Sequence, residues 1–154
     1  MIQISHEAKG FEELYEKLKA LSNPIVAKEA LREGLRLGGI QVQNTAKQLC
    51  PVDTGQLRNS IAVENLPDNG SMVGVKIAPH AEYAVFVEFG TGQQGDPSIP
   101  HTTKEKWTYK GADGKFYTTS GQPPQPYLYP ALVANTDNVL NLVKTTLQEE
   151  IRKR

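Results

Sequence analysis

The stretch Pro51-Val52-Asp53-Thr54-Gly55-Gln56-Leu57-Arg58-Asn59-Ser60-Ile61 decides how this chain is read. Proline at 51 ends whatever helix precedes it, because the residue before a proline disfavours helical geometry. Asp53, with Gln56 three positions on, has the spacing of a capping box. Its carboxylate is expected to accept N–H groups of a new turn, whose dipole also favours negative charge. The short helix carries Leu57 inward and finishes near Ser60. From Ile61 apolar and polar residues alternate, as in a strand.

Upstream, Ile2 and Ile4 suggest an edge strand over residues 1–5, and Phe11, Leu14, Leu18 and Leu21 fall on one helical face. Asn23-Pro24 pairs a capping residue with proline at the first helical position, where its missing N–H costs nothing. The helix that follows should run to about Cys50 and span roughly 40 Å. Its apolar stripe is Ala27, Leu31, Leu35, Val42, Ala46 and Leu49. Gly34 and Gly38 lie inside it, each costing about 1 kcal/mol against alanine, and they clear a flat strip for close approach. Two readings of the strip are open: packing within the subunit, or a contact between subunits that makes Gly34 and Gly38 interface candidates.

Downstream, Ile61–Leu66 and Met72–Ala78 alternate around Pro67-Asp68-Asn69-Gly70-Ser71, which predicts a β-hairpin. Residues 83–89 fit either a strand or, slightly better, a short helix or distorted strand closed by Gly90. Between Thr91 and Pro126, Gly, Pro, Gln, Ser and Thr dominate. Lys106-Trp107-Thr108-Tyr109-Lys110 and Lys115-Phe116-Tyr117-Thr118-Thr119 flank a glycine-rich turn, as in a second, projecting hairpin. Residues 93–125 are thus expected to be a mobile loop or hairpin insertion, ordered on assembly. Pro130 opens a last helix with stripe Leu132, Val139, Leu142, Val143, Leu147 and Ile151. The fold class is α+β: a long N-terminal and a C-terminal helix packed on a small antiparallel sheet, in one domain over residues 1–154.

Composition narrows the function. With 17 basic and 17 acidic residues, the chain carries no overall field that seeks a polyanion. Cys50 is the only cysteine, so no internal disulfide is possible, and no apolar run approaches the roughly 20 residues that cross a membrane. The N-terminus shows no secretion signal. His6, His80 and His101 form no metal-ligand spacing, and Cys50, ending an amphipathic helix, reads as a buried small hydrophobe. Gly90-Thr91-Gly92-Gln93-Gln94-Gly95 lacks the following helix that a phosphate loop needs. No catalytic, cofactor or metal residues are therefore expected.

Charge and aromatic patterns leave interaction roles. Lys104, Lys106, Trp107, Tyr109, Lys110, Lys115, Phe116 and Tyr117 interleave cations with rings. That suits a hairpin with one basic and one aromatic face, a protein interface, or single-stranded nucleic acid. Arg58 and Glu88 sit among residues expected to be buried and are candidates for an ion pair between their segments, against the alternative of two exposed, uncoupled charges.

Three segments in order, Pro51–Ile61, Tyr83–Gly92 and Pro126–Leu132, resemble the siphophage tail-component family known as tail-completion or head–tail joining proteins. The positions that carry the likeness are Asp53, Thr54, Gly55, Leu57, Arg58, Ser60, Tyr83, Ala84, Glu88, Gly90, Thr91, Pro126, Leu128, Pro130 and Ala131. Residues 127–129, Tyr-Leu-Tyr, have Tyr where that family more often has Phe, and the 93–125 segment is longer than usual. The resemblance implies a non-enzymatic structural protein of a phage or prophage virion. It implies a six-fold ring subunit at the neck, monomeric alone, made in the host cytoplasm. Head-connector and tail-tube or tail-terminator proteins are its implied partners, with no membrane and no nucleic acid. Rival readings are a tail terminator, a minor capsid component, or a phage-encoded nucleic-acid-binding protein.

Overall fold

The structure, a computed structural model, describes residues 23–70, 72–111 and 113–153. The strand expected at 1–5 and the helix expected around Phe11–Leu21 lie outside them. Helix α1 (Pro24–Leu49) begins as its sequence dictates: the Asn23 side chain accepts the Ile25 N–H at 3.0 Å, and Pro24 occupies the first turn. It is followed by α2 (Gln56–Ser60), β1 (Ile61–Asn65), β2 (Val75–Pro79) and α3 (Ala84–Phe89). Next come β3 (Thr91–Gly92), β4 (Trp107–Lys110), β5 (Phe116–Thr119) and β6 (Gly121–Gln122), and the long helix α4 (Leu128–Arg152) closes the chain.

The α+β class holds. Among the described residues the strands form three separate antiparallel ladders, the β1–β2 hairpin, the short β3–β6 pair and the β4–β5 hairpin. Helix α1 is the centre of the fold, with α4 along one face and the β1–β2 hairpin on another. Gly34 and Gly38 make the helix pairing possible. A Cβ on Gly34 would lie 2.7 Å from the Val143 Cα, and one on Gly38 would lie 2.8 Å from a Val139 methyl. Both glycines are buried under the chain's own α4, so the strip serves packing within the subunit and Gly34 and Gly38 are not free interface residues. Gly39 faces the other way, onto Val63, Val75 and Ile77 of the hairpin. A polar lock completes the helix contact: buried Asn135 donates to the Thr45 hydroxyl at 2.8 Å and to the Ala131 carbonyl at 2.8 Å.

Two details of the stripes are corrected. Leu49 and Ile151, expected inside, are about half exposed. Helix α4 starts at Leu128, two residues before Pro130. The hairpin turn is held to α1 by Asp68, which meets Lys28 at 3.4 Å and Arg32 at 3.2 Å and accepts the Gly70 N–H. The Gly70 N–H, followed by Lys28, keeps the Asp68 carboxyl below its ordinary range.

Gly34→Ala should destabilise the protein despite alanine's better helix propensity, because the obstacle is backbone. Its net cost should be about 1–3 kcal/mol in urea unfolding. Gly38→Ala should cost less, and Val139→Ala in the same chain should recover part of the loss, since there the clash is with a side chain.

Candidate functional site: the Glu88 joint and the projecting hairpin

The three informative segments, far apart in sequence, meet in one core. Cys50, Leu57 and Ile61 from the first, Ala84 from the second, and Tyr127 and Ala131 from the third pack with Val42 and Ala46 of α1. Glu88, one turn after Ala84 on α3, is buried beside them at 3% exposure. One carboxylate oxygen accepts the N–H groups of Tyr127 at 2.8 Å and Leu128 at 3.0 Å, and the other accepts that of Tyr129 at 3.0 Å. These are the cap and first two positions of α4. A helix starts with four N–H groups that its own carbonyls cannot reach. Glu88 takes three, and the fourth position is Pro130, which has no N–H. The helix dipole adds to the stabilisation of the buried negative charge.

Glu88 and Arg58 do not pair. Glu88 is committed to α4, whereas Arg58 is exposed on α2 and makes no ion pair among the described residues. Asp53 is exposed too and does not cap α2. The cap position falls on Gly55, at φ +83°, and the Thr54 hydroxyl accepts the Gln56 N–H at 3.3 Å. The left-handed turn that Gly55 permits sets the helix start two residues beyond Asp53, away from its carboxylate. Ser60 ties the first segment to the turn before α3, donating to the Leu57 carbonyl at 2.8 Å and accepting the Ala81 N–H at 3.3 Å.

The third element is the insertion. Helix α3 ends at Gly90, whose φ of +73° and close approach to Gln122 O and Pro124 N, each 2.7 Å from a would-be Cβ, leave room for glycine alone. Its last carbonyls are taken by the insertion: Phe86 O by the Gln122 side chain, Val87 O by the Gln125 N–H and Phe89 O by the Asp96 N–H, at 2.8–2.9 Å. Thr91 pairs with Gln122 in β3–β6, which closes the neck. His101 sets its two ring nitrogens against the carbonyls of Ile99 and Gly92 within the same loop.

Beyond the neck the β4–β5 hairpin projects as expected. Trp107 leans back on Gly92 at its foot. Tyr109 and Tyr117 stack across the strands at 5.9 Å, and Tyr117 donates its hydroxyl to Asp113 at 2.6 Å. By strand alternation these rings share one face, while Phe116, 74% exposed, lies with Lys106 and Lys110 on the other. The faces are therefore less cleanly divided than basic against aromatic. Lys106, Tyr109, Phe116 and Tyr117 stay open to solvent, and Trp107 is half-buried.

Among the described residues no group of three His, Cys, Asp or Glu side chains could hold a metal ion, and no helix is long and apolar enough to cross a membrane. Cys50 is buried, and that burial raises its thiol pKa. Sequence reasoning missed Tyr127. It is fully enclosed, its hydroxyl has no partner, and burial, followed by the nearby Glu88, pushes the phenol far above its ordinary range.

This arrangement defines a structural building block: a rigid two-helix body, a buried carboxylate joint and a projecting arm. The family model described as "Bacteriophage HK97-gp10, putative tail-component" matches residues 12–90, more than half of the chain, and the protein belongs to this phage tail-component family. The match spans α1 to α3 and includes Glu88, while the insertion and α4 lie beyond it. No curated protein and no solved structure matches the chain.

Glu88→Ala should cost about 3–5 kcal/mol, since three N–H groups at a largely buried helix start lose a charged acceptor. A double-mutant cycle with Arg58→Ala should show no coupling. Tyr127→Phe should stabilise the protein by about 1–2 kcal/mol by removing a buried unpaired hydroxyl. The folded state holds the Cys50 and Tyr127 protons more tightly than the unfolded chain does. Stability is therefore whole below their ordinary values of 9.0 and 10.0 and falls as pH rises through them. Urea unfolding across this range should show a shallower decline in Tyr127→Phe.

Proposed function

We propose that this protein is a structural virion subunit acting in tail completion and head–tail joining at the neck, as one member of a six-fold ring. The observation that carries the reading is the family match over residues 12–90, which contains the first signature segment and the second as far as Gly90. The geometry supports it. Of the signature residues, Leu57, Ala84, Glu88 and Ala131 build a joint and a core, and the exposed rings include Tyr109, Phe116 and Tyr117 on the arm as well as Tyr83, Phe86 and Tyr129 on the body. Aromatic residues on such an arm suit contacts with other proteins.

A ring needs two different surfaces on each subunit that fit head to tail and close. The β4–β5 arm is one, and the body supplies the other. The arm moves about its two-residue neck in the free subunit, is made in the host cytoplasm, and becomes ordered when the subunit meets its neighbours, the head connector and the tail tube. No catalytic step belongs to this role.

Deleting the gene from its phage or prophage should leave full heads and unattached tails, seen by electron microscopy, and supplying the gene in trans should restore joined particles. Normal virions without the gene would end the proposal. A label on the subunit found at the tail end distal to the head, or within the capsid wall, would replace the neck with another location.

A further inference from the structure

Among the described residues the β4–β5 hairpin has no third strand beside it and no helix laid along it. A two-stranded ribbon of this kind is marginal in water. Its register shows which backbone groups are spare. The Gly111 N–H donates to the Lys115 carbonyl at 2.8 Å, so by alternation Tyr109–Tyr117 and Trp107–Thr119 are the bonded pairs, and Thr108–Thr118 and Lys110–Phe116 are not. The N–H and C=O groups of Thr108 and Lys110 on β4, and of Phe116 and Thr118 on β5, therefore point out along two open edges. The β1–β2 ladder repeats the situation. Bonds from His80 N to Ser60 O and from Leu66 N to Gly74 O turn the backbone of Val63 and Asn65 outward along β1.

Charge selects between possible pairings. Residues 104–115 hold four lysines against Glu105 and Asp113, a net +2, and since the whole chain is balanced the remainder carries −2. Arm-to-arm pairing would set lysines against lysines, whereas arm-to-body pairing between copies is complementary. Beside the outward groups of β1 stands Glu64, exposed, with one carboxylate oxygen 3.0 Å from the His80 ring and the other open to a lysine, while β2 carries Lys76 at the position facing it.

We infer that the β4–β5 arm of one subunit adds edge-on to β1 of a second copy, joining two ribbons into one sheet shared between subunits. Main-chain bonds supply the affinity, as in other strand additions, and Glu64 against the arm's lysines supplies the choice of edge. Arm and receiving edge are different surfaces, so the contact runs on from copy to copy instead of stopping at a dimer. The inference rests on the ring reading above and names its interface.

The test is sedimentation of the purified full chain, across concentration, for the wild type, Thr108→Pro, Thr118→Pro and Glu64→Lys. Proline at an outward position removes only the outward N–H and leaves the hairpin's own bonds in place. Retained protection of the Tyr109 and Tyr117 amides checks that the hairpin is intact. The wild type should associate. Association should weaken about tenfold with Glu64→Lys and with whichever proline lies on the docking strand, the worth of one or two hydrogen bonds. Amide exchange at Val63 and Asn65 should slow only in the assembled form. A wild type that stays monomeric at millimolar concentration overturns the inference, as does association indifferent to all three changes, or association that appears only with added single-stranded oligonucleotide. The tail role is read separately, from particles. A chain that is monomeric yet required for joined tails sinks this interface alone, and normal virions without the gene sink the tail role whatever the sedimentation shows.

Discussion

A carboxylate taken from water into a core is costly unless its lost hydration is replaced in full. In this protein Glu88 finds that replacement in the open end of another helix: three backbone N–H groups, from Tyr127, Leu128 and Tyr129, converge on its two oxygens. The need is mutual, since a buried helix start without acceptors is as unfavourable as a buried charge without donors. Pro130 completes the fit by contributing no fourth donor. The bond set fixes where α3 stands relative to α4, and α4 is in turn fixed along α1 by Gly34, Gly38 and the Asn135–Thr45 lock. With α3 so placed, its terminal carbonyls become the mount for the insertion, through Gln122, Gln125 and Asp96. Glu88 thus ties the body to the helix on which the arm is mounted.

This division suits a part built to dock. The body's two helices are pressed together closely enough that a single Cβ at Gly34 meets backbone, which leaves little freedom to shear. The arm carries exposed rings and, among the described residues, unpaired edges beyond a two-residue neck. In the proposed ring, forces between neighbouring subunits would enter through the arm and reach α1 by way of α3 and Glu88. A phage tail component has to keep its own shape while making contacts in more than one direction, and a stiff core with one jointed projection meets both demands.

Much of the fold was legible in the sequence, for identifiable reasons. Asn23-Pro24 marked the start of α1, the alternation after Ile61 marked the first hairpin, and Gly90 marked the end of α3, because each is a local steric or capping rule acting at its own position. What depended on distant parts of the chain was harder to read. Asp53 had capping spacing, but the left-handed turn at Gly55 moved the helix start away from it. Glu88 was singled out correctly as a charge held within an apolar run. Its partner was sought among side chains of opposite charge, and the backbone of residues 127–129 has no signature as an acceptor's target except the proline at 130. Gly34 and Gly38 announced a close approach without saying to what. Only the fold showed that Val143 and Val139 fill the strip. The same holds for Tyr127, whose unpartnered hydroxyl is a property of its surroundings.

The most direct test of this account is native-state hydrogen exchange at the amides of Tyr127, Leu128 and Tyr129. First-turn amides normally exchange early because nothing inside the helix holds them. If Glu88 joins α3 to α4 as described, these three should exchange only on global unfolding, together with the slowest amides of α1. Exchange of all three at the rate of a frayed helix end, while the α1 core stays protected, would contradict it.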